Sequence, residues 1–330
     1  LVLRYLIEKN IIVIKYFFIV CGICSIFVCF DIFLQFFVGQ DIFGLKPISP
    51  RKLSGPFGDE LIAGSFIQRF SIFSFFILPL FFSNISKLLS NYLTIILFIV
   101  FLIGIILSGN RMPMLLFIFS IFLIIIFNKE MRRFLFSFTI IFVVLFSLIY
   151  KFNDEVRNNF SALHMQVSQM FTIVINKDFD NKNKPQYLNE FSTFYDTWLM
   201  NKYIGGGIKN FRYYCHARPN LDKNSKFICN MHPHNYYLEI ITETGLVGLI
   251  TLLIFFSLVL YKTFYKKYFI FSNLQSNNKI IPFIFLFIVE IFPIKSTGSF
   301  FTTGNTTYLF LIMAILIGLC NQDNLIDKKH

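Results

Sequence analysis

Few side chains exchange a proton near neutral pH, and this chain has five histidines with which to do so. One stretch sets an imidazole where a polar loop turns into an apolar run: Met231-His232-Pro233-His234-Asn235-Tyr236-Tyr237-Leu238-Glu239, continuing through Glu243 to Gly245-Leu246-Val247-Gly248. Pro233 suits the first turn of a helix, where its missing N–H costs nothing, so His234 is expected inside that turn. The partial positive charge there disfavours imidazolium and attracts an anion such as a diphosphate, leaving the neutral ring that a general base requires. Glu239 and Glu243 share one helical face, while Gly245 and Gly248 offer a close-packing spot further along. The same residues also fit a blander reading, in which the histidines are interfacial polar groups and the glycines serve only packing. The local pattern does not separate the two.

The elements that must position these groups are membrane helices. Hydrophobic residues make up 55% of the chain, charged residues 15%, and the mean hydropathy is +0.65, which excludes an ordinary soluble domain. The 47 Phe read as lipid-facing and helix-packing bulk, not as base-stacking platforms. A net charge of +12 would suggest nucleic acid in a soluble chain. Here the basic residues fall between apolar runs and in one long loop, so a phosphate-bearing lipid or glycolipid is the expected partner and no nucleic acid is. A span needs about 20 apolar residues. Eight are read, near 14–37, 61–83, 91–107, 112–127, 134–150, 236–261, 280–295 and 306–320. The expected fold is therefore an all-α polytopic integral membrane helix bundle with one long loop. Three regions follow: 1–150 with N-terminal spans, 151–235 as the loop, and 236–330 with C-terminal spans. The first residue is Leu1 and no signal peptide follows it, so further chain, with further helices, is expected upstream.

Lys and Arg in the short connections, among them Lys87, Lys129, Arg132, Arg133, Lys262, Lys266 and Lys267, gather on one side and mark it as the cytoplasm. Residues 39–60, 108–111, 151–235 and 295–305 then lie outside, where a loop of such length is usually functional. Cys21, Cys24, Cys29 and Cys320 sit inside apolar runs and read as small packing residues, despite the Cys21-Gly22-Ile23-Cys24 spacing. Cys215 and Cys229 share the outer loop. In an oxidising compartment a disulfide between them would order that loop by roughly 3 kcal/mol.

Four stretches in order carry a resemblance. His234-Asn235, nine residues, then Gly245-Leu246-Val247-Gly248 resembles the signature of the O-antigen ligase and polymerase family of membrane glycosyltransferases. Residues 51–60 with Ala63-Gly64-Ser65 are similar to a loop and helix start of that family. Ser108-Gly109-Asn110-Arg111 resembles its short outer turn, and residues 205–212 resemble the segment ahead of the histidine, with Gly206 where a hydrophobic residue is usual. The resemblance, from about 31 to 305, implies a GT-C-like bundle with a long periplasmic loop, and a metal-independent, inverting transfer without cofactor at the periplasmic face of a bacterial inner membrane. It implies an undecaprenyl-diphosphate-linked glycan as donor, and lipid A core or another lipid-linked repeat as acceptor. Carried onto this sequence it makes His234 the base, Arg111 a diphosphate ligand, and Asn235, Glu239, Glu243, Gly245 and Gly248 supporting residues.

A diphosphate gains negative charge as it leaves, so fixed guanidinium groups stabilise the transition state more than the ground state. Further diphosphate ligands are expected among Arg51 and Arg157, then Arg212. Arg69 lies within an apolar run, where a charge is costly; it is expected either to bind diphosphate or to pair with Asp31 or Glu290. Glu290 and Lys295 read as a helix-end ion pair or as cavity lining. Asp178-Phe179-Asp180 has the spacing of a metal-nucleotide-sugar motif, but nucleotide sugars are cytoplasmic. The histidines and Cys229 form no zinc pattern, and no metal is expected. A non-catalytic transporter or flippase of lipid-linked oligosaccharide is the alternative. It would need charges spread through the membrane interior.

Overall fold

The computed structural model describes residues 1–49, 51–82, 85–176, 185–218, 229, 234–269, 279–296 and 298–327. Among them regular structure is helical, and one isolated bridge, Ser49 to Lys52, is the sole extended pairing. In chain order the helices are α1 (Val2–Glu8), α2 (Ile14–Val38), α3 (Ala63–Phe70), α4 (Ser74–Phe81), α5 (Lys87–Leu107), α6 (Arg111–Phe127), α7 (Lys129–Arg132) and α8 (Leu135–Phe152). There follow α9 (Asp154–Asn176), α10 (Gln186–Leu199), α11 (Phe211–Tyr214), α12 (Tyr236–Leu260), α13 (Ile281–Glu290) and α14 (Thr303–Asp327). Among the described residues, six spans are long and apolar enough to cross a membrane: α2, α3 run on into α4, α5, α8, α12 and α14. The chain is an all-α, multi-pass membrane protein.

The fourth expected span, 112–127, is α6. The seventh is corrected: α13 stops at Glu290 after 10 residues. Pro293, which has no N–H to give and disfavours helix in the residue before it, closes the helix, and the Glu290 side chain pairs with Lys295 across the turn that follows. The long segment after α8 is largely helical, through α9 and α10.

The chain divides into two compact units. The first comprises Leu1–Phe160, Thr263–Val289 and Ile312–His330. There α2 packs on α3, α4 and α5, and α5 on α6 and α8. Lipid is as apolar as Phe, so close dispersion contact is what holds such helices together. Phe98 of α5 stacks on Phe138 of α8 at 4.0 Å between centroids, and Phe17 and Phe18 meet Phe73 edge-on. One face of α8 leaves Phe136, Ile140, Val143, Val144 and Leu148 exposed, as a lipid-facing helix should.

The second unit comprises Ser161–Lys262 and Glu290–Leu311. Its centre is Phe194 of α10 stacked on Phe211 of α11 at 3.7 Å, with Cys215 buried beside them and Leu238 of α12 packed against the group. α10 runs against α12.

Candidate functional site

In the first unit, α5 ends at Leu107 and the chain reverses through Ser108-Gly109-Asn110 into α6, whose first residue is Arg111. Gly109 has φ +65, and a Cβ there would sit 2.0 Å from the carbonyl oxygen of Arg51. Glycine thus serves twice: it permits the left-handed turn and lets the Arg51–Lys52 backbone lie directly on it. Gly64 at the start of α3 also leaves no room for a Cβ, which would lie 2.5 Å from the Ser108 hydroxyl and 2.7 Å from Asn110 Cβ, so Ala63-Gly64-Ser65 accompanies the turn. The result brings Arg51, Lys52 and Arg111 together. Burial first, then the positive charges of Arg111 and Arg51, push the Lys52 ammonium below the usual lysine range. Three cations that repel one another at a helix N-terminus form a place where an anion is favoured.

Asn159, in the second turn of α9, closes this arrangement. Arg111 donates from Nε to its Oδ1 at 2.7 Å, and its Nδ2 donates to the Gly109 carbonyl at 2.9 Å.

Arg157, near Asn159 in sequence, is ion-paired with Asp154, both being substantially exposed. Arg69 is half-buried on α3. Asp31, one of the partners expected for it, accepts from the Ile42 N–H at 2.7 Å. Arg212 belongs to the second unit and lies over the Tyr213 ring at 5.1 Å.

In the second unit, Asn235 is the N-cap of α12, its Oδ1 accepting from the N–H groups of Tyr237 and Leu238 at 3.0 and 3.1 Å. His234 therefore stands one residue outside the helix and not in its first turn, which corrects the expectation drawn from Pro233. A short carboxamide satisfies the first free N–H groups better than continued helix could. His234 is exposed and has φ +50, a left-handed backbone. Residues His232 and Pro233, like Asp178 and Asp180, lie outside the described residues.

The turn that carries His234 is pinned from below. Asn235 Nδ2 donates to the carbonyls of Pro293 at 2.7 Å and Lys295 at 3.2 Å. The Tyr236 hydroxyl donates to buried Glu290 at 2.7 Å, and Lys295 Nζ reaches both Glu290 and the Tyr236 hydroxyl. Tyr237 donates to the Ile291 carbonyl. Glu239 accepts from the Ser299 hydroxyl and the Phe300 N–H, so this carboxylate clasps a second loop. Glu290 and Lys295 are thus the buried ion pair that braces the turn.

Glu243 does the corresponding work on the other side, its Oε2 accepting from the Lys209 N–H at 2.7 Å. Just beyond it α12 breaks. Gly245 has φ +66 and ψ −168, so the ladder fails there, and the chain segment 202–207 fills the gap. Gly206 and Gly207 donate their N–H to the carbonyls of Thr242 (3.0 Å) and Glu243 (2.9 Å). Leu246 and Val247 donate to the carbonyls of Lys202 (2.9 Å) and Tyr203 (3.1 Å). All four backbone groups are satisfied, as they must be at a break in a membrane helix. The span read near 236–261 carries this break within it. Gly245 lies in contact with another backbone, and Gly205 is the glycine that meets it, while Gly206 lies against the Tyr214 ring. A Cβ on Gly245 would come within 2.2 Å of Tyr203, and one on Gly205 within 2.4 Å of Glu243. Gly248 lies one turn on, over the Thr244 side chain. Further along the loop, Cys215 and Cys229 are joined as a disulfide, with Cα atoms 5.5 Å apart. Cys21, Cys24, Cys29 and Cys320 are free thiols.

Sequence reasoning passed over Lys52, Asn159 and Tyr236, while the ion pair read for Glu290 and Lys295 is present. Lys52 adjoins a chosen arginine and carried its own signal. Asn159, in an Asn158-Asn159 pair on a polar helix, carried none.

Comparison with known proteins agrees with the motifs. Residues 96–253 match a family model described as O-antigen ligase, and this segment belongs to that family. The match includes Arg111, Asn159, His234 and Gly245; Arg51 and Lys52 precede it. No curated protein matches the chain.

Proposed function

We propose that this O-antigen ligase family protein transfers a glycan from an undecaprenyl-diphosphate carrier to a lipid-linked acceptor at the periplasmic face of the inner membrane. The observation that carries the reading is the convergence of Arg51, Lys52 and Arg111 on one tight turn, within a chain whose matched segment is of that family. Like charges so close together are costly, and an anionic leaving group relieves the cost. His234 takes the proton from the acceptor hydroxyl as its oxygen attacks the anomeric carbon, with inversion. The bond from that carbon to the diphosphate oxygen breaks, and undecaprenyl diphosphate leaves with its new charge held by the cationic turn. The step draws on an imidazole and arginines, with no cofactor and no metal. The exposed, left-handed position of His234 on a turn pinned by Asn235 and Tyr236 supports its role.

The proton-transfer and leaving-group roles are tested in cells that depend on this protein for their surface glycan. His234→Ala and Arg111→Ala should each abolish glycan assembly while the protein stays inserted and disulfide-bonded. Normal glycan in cells carrying either variant would remove the corresponding residue from the mechanism. The acceptor is settled separately: elongation in vitro with the carrier-linked repeat alone marks a polymerase, and a requirement for lipid A core marks a ligase.

A further inference from the structure

The geometry points to Asn159 as the positioning residue of the diphosphate-binding arginine, an inference that rests on the reading of Arg111 given above. Asn159 is 3% exposed on a helix, and a buried carboxamide must have partners. It has two, both on the same turn 48 to 50 residues earlier in the chain. Its oxygen accepts from Arg111 Nε, and its nitrogen donates to the carbonyl of Gly109, which the left-handed turn directs out of any helical ladder. Only this orientation of the amide satisfies both, since the flipped one would set N–H against N–H and oxygen against oxygen. Asn159 therefore cross-braces the turn: one atom fixes its backbone and the other fixes the charge it displays.

Holding a guanidinium through Nε orients its plane, and with it the terminal nitrogens that grip two phosphate oxygens at once. A neutral brace is the right choice for this purpose. A carboxylate at position 159 would hold the same nitrogen more strongly, but it would neutralise the charge that the leaving group needs. The side chain must also donate, which an ionised Asp cannot do and a protonated Asp can. Asn159 thus keeps Arg111 both aimed and fully charged, from a helix that begins the long outer segment.

The test uses the full chain in lipid nanodiscs, with inorganic pyrophosphate as the probe, titrated calorimetrically against wild type, R111A, N159A and N159D. Carrier-dependent transfer is followed in parallel. N159A should weaken pyrophosphate binding by roughly 10- to 100-fold, the value of a hydrogen bond to a charged group. Transfer should fall mainly in kcat, because a misaimed guanidinium fails most where charge develops. N159D should bind more weakly than wild type between about pH 5.5 and pH 8, since a carboxylate held by Arg111 stays ionised across that range, offsets the arginine's charge and cannot donate to Gly109. A brace that served folding alone would move neither the affinity nor the split between kcat and KM. If R111A loses pyrophosphate binding while N159A and N159D bind like wild type at every pH, the positioning role is wrong and the arginine's role stands. If R111A also binds like wild type, the diphosphate reading itself fails. Should N159A not remain monodisperse and disulfide-bonded, the pyrophosphate affinity of N159D decides alone.

Discussion

Gly245→Ala separates two readings of α12 by the sign of its effect. In an unbroken helix the change would stabilise by up to about 1 kcal/mol, because alanine is the better helix former. At the observed break it must destabilise. A non-glycine residue at φ +66, ψ −168 costs about 1–3 kcal/mol in backbone strain. A Cβ would also lie 2.2 Å from the Tyr203 carbonyl group, so the 202–207 segment has to withdraw. With it go the bonds from Gly206, Gly207, Leu246 and Val247, each worth about 1 kcal/mol when the partner is left buried. A net loss of at least about 3 kcal/mol follows, a drop in Tm of roughly 6–12 °C for a unit of this size. The assay is built in: the chain has one Trp, and Trp198 donates from Nε1 to the Lys202 carbonyl beside the break. Its emission should shift to the red in G245A and its thermal transition should move down. At Gly304, in the first turn of α14, an added methyl group would meet nothing within 4 Å, so G304A is the control that should be neutral or slightly stabilising. A G245A protein with unchanged Trp198 emission and an equal or higher Tm would refute the break and the role given to the glycines at 205–207.

Other consequences are accessible. Asn235→Ala removes an N-cap and leaves the Pro293 and Lys295 carbonyls without their donor, so hydrogen exchange over 235–243 should accelerate by roughly 10- to 100-fold; Asn235→Ser, which keeps a cap, should lie between. Lys52, whose pKa lies below the ordinary lysine value, holds more neutral amine at a given pH than a surface lysine. It should therefore acylate fastest at about pH 8, and pyrophosphate should protect it by restoring its charge; equal labelling of Lys52 and surface lysines would count against the cationic turn. Reducing the Cys215–Cys229 disulfide releases a loop worth about 3 kcal/mol of ordering, so proteolysis within 216–228 should rise sharply; an unchanged cleavage rate would show the loop is held otherwise.

The membrane spans were the legible part of the fold, because a lipid-facing helix announces itself by composition over its whole length. The run read as 14–37 is Ile14–Val38, and that read as 91–107 ends at Leu107. The run read as 280–295 misled for a local reason: its apolar residues continue past Glu290, but Pro293 cannot carry the helix on. His234 was legible as a residue and misplaced by one helical position, since Pro233 and Asn235 both signal a helix start and the carboxamide takes the cap. The break at Gly245 was not legible. It depends on a second segment, 202–207, arriving from about 40 residues away with glycines of its own. Arg111 was legible only through its motif, and Asn159 not at all, because its partners are fixed by tertiary packing. Among the other arginines, Arg51 stands beside Gly109, whereas Arg157 is engaged with Asp154 and Arg212 with Tyr213.

Release of carrier diphosphate tests the central claim most directly. Purified chain in nanodiscs, given a carrier-linked oligosaccharide and an acceptor, should release one undecaprenyl diphosphate for each glycosidic bond formed. H234A should release none while still binding pyrophosphate. Release at the wild-type rate by H234A, or movement of the intact carrier-linked glycan without bond cleavage, would contradict the account.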